Sequence, residues 1–386
     1  LGKRGGYWLA VHVANLYGHG IDKRPLKERV KWVEEHRDEI VDSALNPLDG
    51  ARFWTKAKKP WRFLAAAMEY AGYVAEGPGF LSRQPIAMDG TCNGLQHFSA
   101  LGRDEIGGVW TNLVPSPEPR DIYREVADRL APRVEVALNG QAKDRDAAPW
   151  IGIIDRDLVK PATMTMPYGV TYKGLRDQLR VIIREEYVDR FAAPWRASIW
   201  LVKPIKETIA EVVVKAVSIM DWLRALATEF GKKRRGLTWT VPTGFRVTNE
   251  YRKPKEHRVQ TALLTLQTLR HKAGAKIDIT EQTNGMVPNL VQSLDAAHMM
   301  LTVWALKERG LSDFAMVHDS YAVHACDVDL MNNLLREQFV RVHTEFTLAK
   351  FYEDVKRQAP EIALPPPPSP GALDLVKVRE SEYLFS

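Results

Sequence analysis

The chain has 386 residues and 43.7 kDa, 45% of them hydrophobic, enough for a sizeable core and two or three domains. Its two cysteines, Cys92 and Cys326, exclude a disulfide framework and fit a reducing cytosol, and no uncharged apolar run of about 18 residues predicts a membrane-spanning helix. The net charge of +6 is uneven: residues 231–276 hold twelve Lys or Arg against two acids, which suits either a solvated basic surface or one local polyanion partner.

In chain order, residues 25–45 place Val30, Val33, Ile40, Val41 and Leu45 at helical spacing among charges, with Pro25 near the start, and predict one amphipathic helix. WRFLAAAMEYAGYV predicts a second, buried helix. RQPIAMDGTCNGLQHFSALGRDE predicts a short strand through Met88, a turn over 90–94, then a helix. SPEPRDIYREVADRLAPRVEVAL is helical after a Pro-rich break, and the long helical region from ASIWLVKP to LRALATEF is expected to bend at Pro204. LTWTVPTGFRVTNEY alternates and turns over 242–244, a hairpin signature. LPPPPSPGALDL reads as a polyproline-type linker before a last short segment, and no internal repeat is visible.

Three stretches carry chemistry. IAMDGTCNG ends a strand on Asp89, and FAMVHDSYAVHA sets His318 and Asp319 at the crest of an apolar hairpin. Each aspartate alone equally suits a turn-capping residue. Together, carboxylates at adjacent strand ends can share two magnesium ions about 4 Å apart, the arrangement that activates a hydroxyl and stabilises a leaving pyrophosphate. Gly90, lacking a side chain, allows its carbonyl to approach a metal too. In RDLVKPATMTMPYG, Arg156 and Lys160 project from one helix face, Tyr168 lies roughly on the same side, and Pro167 and Gly169 should end or bend the helix. Such a face either sits in solvent or grips a triphosphate and packs on a base or sugar.

These segments resemble the single-subunit, phage-type DNA-directed RNA polymerases, a family shared with mitochondria and plastids. DGTCNGLQHFSALGRDEIGG is similar to its motif A, RDLVKPATMTMPYG to motif B and VHDS to motif C. GGYWLAVHVAN, VPTGFRV, NGMVPNLVQSLDAAHMM and ESEYLFS have counterparts in the same order, so the resemblance spans nearly the whole chain.

The resemblance implies an α+β, mostly helical fold: the palm and fingers of a right-hand polymerase, with the thumb and N-terminal domain absent. It divides the chain into 1–117 (palm, motif A), 118–291 (fingers, with a promoter-recognition hairpin at about 251–272) and 292–386 (palm, motif C, and tail). It implies two magnesium ions on Asp89, the Gly90 carbonyl and Asp319, a triphosphate on Arg156 and Lys160, and ribose selection by Tyr168. His318 would stand near the primer end, Lys3 on the pyrophosphate path, and Arg258, Gln260 and Arg270 at base edges of promoter DNA. Gln292 stands where the family often has His, near the ribose and minor-groove side. The implied partners are a DNA template and promoter, an RNA product and ribonucleoside triphosphates, with no membrane and a monomeric state.

Leu1 in place of Met, running straight into GGYWLAVHVANLYG, sets the expectation of a cut through a larger protein, so that the chain carries the site without full activity. A compact chain without organelle-type insertions favours a phage enzyme in bacterial cytoplasm, with a mitochondrial origin as the alternative. A family A DNA polymerase shares the palm and a Lys/Tyr helix, but Ser320 and the small GTCNG stand where that family usually has Glu. A nucleic-acid-binding fragment without turnover and a metal-dependent nuclease are the remaining readings; a nuclease would leave the Arg156/Lys160/Tyr168 face without a role.

Overall fold

The computed structural model describes residues 1–139, 146–260, 266–271 and 276–386. Helices dominate and the sheets are small, an α+β chain. The N-terminal part is helical: α1 (Gly2–Tyr17), α2 (Leu26–Glu35), α3 (Arg37–Leu45) and α4 (Pro60–Glu76). The single helix expected over 25–45 is two. His36 leaves helical geometry (φ −105°, ψ 17°) and turns its Nδ1 back to the Trp32 carbonyl at 2.8 Å, closing α2 before α3 begins.

Strand β1 (Pro85–Asp89) leads into α5 (Asn93–Gly102) and α6 (Glu105–Trp110). After these come α7 (Ile122–Asn139), α8 (Arg156–Thr165), α9 (Tyr172–Glu186), α10 (Pro194–Val212) and α11 (Val214–Lys232). Helix α10 contains Pro204 and ends at Val213 (φ −130°, ψ 61°), where α11 takes over. There Asp104 Oδ2 accepts from the Lys215 amide at 2.9 Å and so caps the start of α11. Two hairpins follow, β2 (Leu237–Thr240) with β3 (Arg246–Asn249) and β4 (Lys255–Gln260) with β5 (Leu266–His271). The first turns where expected, with Gly244 at φ +82°.

Helix α12 (Ile279–Glu308) is the long strut of the molecule. It delivers the chain to β6 (Phe314–Val317) and β7 (Ser320–His324), and α13 (Val328–Glu345) and α14 (Leu348–Gln358) complete the helices. Strands β1, β7 and β6 form one antiparallel sheet in that order, so β7 is central and pairs with both.

The buried apolar residues form two cores, and the sheet belongs to the first. One gathers residues of α1 to α4, β1, β7, α13 and the tail, including Phe63, Tyr321 and Phe385. The other gathers α7 to α12 and α14, around Trp150, Leu201, Phe230 and Leu290. Phe63 and Phe385 are fully buried, so truncating either to Ala would cost about 3–5 kcal/mol. Helix α5 joins the cores, giving Leu95 and Phe98 to one and Ala100 to the other. The Pro-rich segment straps this junction: Trp222 Nε1 donates to the Pro365 carbonyl, Lys215 Nζ to the Ser369 carbonyl, and the Gly371 amide to Gly102. The tail then reaches the sheet, where the Ser386 amide donates to the Asp89 carbonyl at 3.1 Å. Among the described residues no helix is long and apolar enough to cross a membrane.

Candidate active site

The site forms where β1 ends and β7 begins. Asp89 is the last residue of β1 and faces Ser320, the first of β7. Val317 pairs with Ser320, leaving His318 and Asp319 as the two-residue turn between β6 and β7. His318 takes φ +52°, a left-handed conformation that costs a non-glycine residue about 1–2 kcal/mol. The Gly90 amide donates to the Asp319 carbonyl at 3.1 Å, so the two acidic positions are adjacent across the sheet. A side chain at position 90 would press on Gln96 Oε1 at 3.1 Å and the Phe385 ring at 3.2 Å, so any larger residue there needs these neighbours to give by a few tenths of an ångström.

Burial raises the pKa of the Asp319 carboxyl, and the nearby charge of Asp89 raises it further. The neighbour acting in the opposite direction is His318, which is exposed. Two like charges in a half-buried crest suit a divalent cation, which replaces repulsion by shared attraction. Among the described residues no group of three or more His, Cys, Asp or Glu side chains is placed to hold a metal. A hard cation held by two carboxylates keeps water or substrate oxygens as its other ligands, so this small donor set fits magnesium.

Helix α8 stands on the other side of α5. Asp155 caps it, accepting from the Leu158 amide at 2.8 Å. After Thr165 it tightens into a 3-10 turn over Met166–Tyr168, and Gly169 leaves at φ +76°, the ending that Pro167 and Gly169 predict. Pro167 and Tyr168 lie directly on Gly94: a Cβ there would meet Pro167 Cγ at 2.7 Å and Tyr168 Cζ at 3.2 Å. Tyr168 thus rests on the first turn of α5, four residues after Gly90. Its phenol is held above the usual range by burial first and then by the charges of Asp319 and Asp295, while the Gly94 amide pulls the other way.

Arg156 and Lys160 do share one face. Both lie over the Tyr123 ring, Arg156 Cζ at 5.2 Å and Lys160 Nζ at 5.8 Å from its centroid. Burial and the adjacent Arg156 lower the pKa of the Lys160 ammonium. Arg156 Nε donates to Asp121 Oδ2 at 2.5 Å and Nη1 to Asp157 Oδ1 at 3.1 Å. Burial opposes the Arg156 charge, but the pair with Asp121 prevails and raises its pKa. Tyr123 also lies near the Cys92 thiol, whose pKa burial pushes up to about 11. That proximity links the cationic face to the turn after Asp89.

Several of these residues carry little signal in sequence. Asp121 reads as the N-cap of α7, which it also is, its Oδ1 accepting from the Tyr123 amide at 3.0 Å. Tyr123 reads as core. Asp295 is the one acid in α12 between Gln282 and Lys307, and that isolation was the available clue. It is mostly buried, accepts from Asn93 Nδ2 at 2.8 Å, and has its pKa raised to about 6, chiefly by burial. Gln292 lies exposed one turn earlier. Lys3 is exposed in the first turn of α1, and no bond ties it to the carboxylates.

The basic stretch does contain a hairpin, with β4 and β5 antiparallel and Arg258 opposite Thr268, Gln260 opposite Leu266 and Glu256 opposite Arg270. That register assigns positions 258, 260 and 270 to one face of the ribbon. Gln260 is exposed; the side chains of Arg258 and Arg270, and residues 261–265 and 272–275, lie outside the described residues. At the start of the stretch Lys232 pairs with Glu229 and Arg235 with Glu361.

A model of the DNA-dependent RNA polymerase family matches residues 1–364. The chain belongs to that family. Its relatives include mitochondrial DNA-directed RNA polymerase 1 of Arabidopsis thaliana, 37% identical over 396 residues, 100% of this chain and 40% of the relative. Mitochondrial DNA-directed RNA polymerase 1B of Nicotiana tabacum is 40% identical over 402 residues, covering 100% of this chain and 39% of the relative. Chloroplastic DNA-directed RNA polymerase 3 of Nicotiana sylvestris is 38% identical over 397 residues, again 100% of this chain and 40% of the relative. The chain therefore spans about 40% of the length of the curated relatives it matches.

Proposed function

We propose that the chain carries the nucleotidyl-transfer centre of a DNA-directed RNA polymerase, adding ribonucleotides to an RNA 3′-hydroxyl on a DNA template and releasing pyrophosphate. The observation that carries this reading is the meeting of Asp89 and Asp319 at one strand junction, with Arg156, Lys160 and Tyr168 gathered around the same helix α5. Asp89, Asp319 and the Gly90 carbonyl would hold magnesium, which supplies charge stabilisation at the attacking and leaving oxygens. Lys160, its charge already less favoured by burial, meets the leaving phosphates as a cation able to give up a proton. Arg156 grips the triphosphate as a two-pronged donor. Tyr168 faces the sugar from the floor provided by Gly94, and His318, raised on the turn, stands beside the primer end. Gln292 and Lys3 belong to the sugar side and the pyrophosphate path.

The division into palm (1–117 and 292–386) and fingers (118–291) is supported by the two cores that meet at α5. The shared face of positions 258, 260 and 270 supports a ribbon that reads promoter bases in the major groove. The names of the relatives favour the mitochondrial origin, extended to plastids, over the phage one. The test is magnesium-dependent extension of an RNA primer on a DNA template by the full-length protein. Degradation of the primer would favour a nuclease, and binding without extension a non-catalytic fragment. Neutralising Lys232, Lys233, Arg234 and Arg235 should weaken binding to all templates, while changes at Arg258, Gln260 or Arg270 should alter promoter choice by about 1–3 kcal/mol per contact.

A further inference from the structure

Behind the carboxylates lies a line of buried polar side chains that this chemistry leaves unused. Asn93 and His97 stand one turn apart on α5 and both face Asp295 of α12. Asn93 Nδ2 donates to Asp295 Oδ1 at 2.8 Å, and His97 Nε2 lies 4.0 Å from the same oxygen. On its other side His97 Nδ1 shares a 2.9 Å hydrogen bond with Nε2 of His343 on α13. Asn93, His97 and His343 are at most 4% exposed. His298, nearby, is engaged elsewhere, with Leu335 at 2.8 Å and Tyr321 at 3.0 Å.

Two proton arrangements satisfy the bond between the imidazoles. If His97 donates from Nδ1, its bare Nε2 faces a carboxylate oxygen, and the His343 proton sits on a buried Nδ1 that has no partner. If His343 donates from Nε2, the His97 proton sits on Nε2 and faces the Asp295 carboxylate at 4.0 Å, an attraction without a full hydrogen bond, and His343 Nδ1 is left as an unmet acceptor. Electrostatics select the second arrangement. The line then has a direction, His343 to His97 to Asp295.

We propose that Asp295 is a positioning residue of the catalytic centre, held at the junction of α5 and α12 by Asn93 and by a His343–His97 line of fixed proton direction. The role rests on the polymerase reading. It acts through Asn93, which opens α5 four residues after Asp89 and immediately before Gly94, the seat of Tyr168. Clamping Asn93 to α12 fixes the turn behind Asp89 and the floor under Tyr168 together. A loosened clamp moves both, and reaction rates are steep in such displacements.

The experiment uses the full-length protein. Asp295→Asn, nearly the same shape, should lower kcat for primer extension by about 10- to 100-fold, the range for a lost supporting partner, with KM for the ribonucleoside triphosphate unchanged. His343→Leu should lower kcat in the same sense, and His343→Gln, which keeps a donor in the place of Nε2, should restore it. In protein labelled with 15N-histidine, His97 should carry its proton on Nε2, and Asp295→Asn should abolish that preference. A wild-type His97 protonated on Nδ1, an Asp295→Asn variant with full kcat, or a His343→Gln variant as impaired as His343→Leu would each overturn the proposal. Asp89→Asn separates the two levels: if it extends primers normally, the polymerase reading fails, whereas an inactive Asp89→Asn beside a fully active Asp295→Asn overturns the positioning role alone.

Discussion

The Gly90 amide and the Asp319 carbonyl, 3.1 Å apart, join two acidic positions that lie 230 residues apart in the chain. The bond continues the β1–β7 ladder one step past Asp89, so the distance between the carboxylates is fixed by strand register and not by side-chain packing. A slip by one residue would turn Asp89 to the opposite face. The tail guards against this from the other edge, since the Ser386 amide bonds the Asp89 carbonyl and Phe385 bridges Gly90.

Asp89→Asn and Asp319→Asn should each reduce nucleotide addition by about 10²-fold or more, the order seen when a preorganised charge-stabilising group is lost. Template binding should survive, because neither residue belongs to the basic stretch. Primer extension and a gel-shift titration on the same preparations check both halves. Neither variant should melt earlier than wild type, since each substitution removes one of two like charges that already raise the Asp319 pKa.

Asp121 divides its two oxygens between fold and site: Oδ1 caps α7 and Oδ2 holds Arg156. Asp121→Asn keeps a capping oxygen but removes the better buried of the two carboxylates on the half-buried guanidinium, leaving only the exposed Asp157, at a cost of about 1–3 kcal/mol in stability. A bound triphosphate supplies the missing charge. The variant should therefore melt earlier alone and gain more thermal protection from ribonucleoside triphosphates than wild type does. Equal protection in both proteins would show that Arg156 does not meet the phosphates.

Local chemistry made much of this legible in the sequence. Gly169 and Pro167 announced the end of α8, Gly244 the hairpin, and the short run through Met88 before the turn over 90–94 the strand. The split of the helix expected over 25–45 comes from a local bond, His36 back to Trp32, and the other misses come from distant residues. Nothing within residues 194–232 shows that Asp104 will cap α11 just after the break at Val213. Likewise Asp295 becomes part of the site only because Asn93, 202 residues away in the chain, bonds it. Arg156 and Lys160 were visible as a face, but their shared seat on Tyr123 depends on how α7 packs on α8.

Acid should destabilise the protein through its buried histidines. Burial lowers the pKa of His12 and His298 to about 4 and of His343 to about 3, so these rings stay neutral in the fold while the unfolded chain binds protons below about 6.5. Stability is then lost as pH falls below 6.5, by about 2 kcal/mol per histidine at pH 5. Asp295 has the opposite sign. Its pKa, raised from 3.8 to about 6, favours the folded state at low pH and penalises it as pH rises through 6. Asp295→Asn should thus raise stability at pH 7, by up to about 3 kcal/mol, and the gain should shrink towards pH 4. Urea unfolding at pH 7, 6 and 5 measures both effects. A variant that is more stable yet slower would mark Asp295 as a residue kept for the reaction and not for the fold.

Sugar choice offers a test of Tyr168. Its side chain leaves the 3-10 turn after α8 with the ring supported by Gly94 and Pro167, and the residue remains 39% exposed, open to a substrate. The hydroxyl lies where burial and the charges of Asp319 and Asp295 keep it protonated at neutral pH, so it is available as a donor. A closed site whose hydroxyl bonds a 2′-hydroxyl leaves a polar group unpaired when a deoxynucleotide enters, at a cost of about 1–3 kcal/mol. Tyr168→Phe keeps the ring on its seat and removes that cost. It should retain primer extension and accept deoxynucleotides about tenfold more readily relative to ribonucleotides. Gln292, exposed on the neighbouring helix, is a second polar group able to contact the sugar, so Tyr168→Phe combined with Gln292→Ala should lower selectivity further. The ratio of ribo- to deoxynucleotide incorporation in the full-length protein decides: a ratio unchanged in Tyr168→Phe, with normal extension, would remove Tyr168 from the selection mechanism.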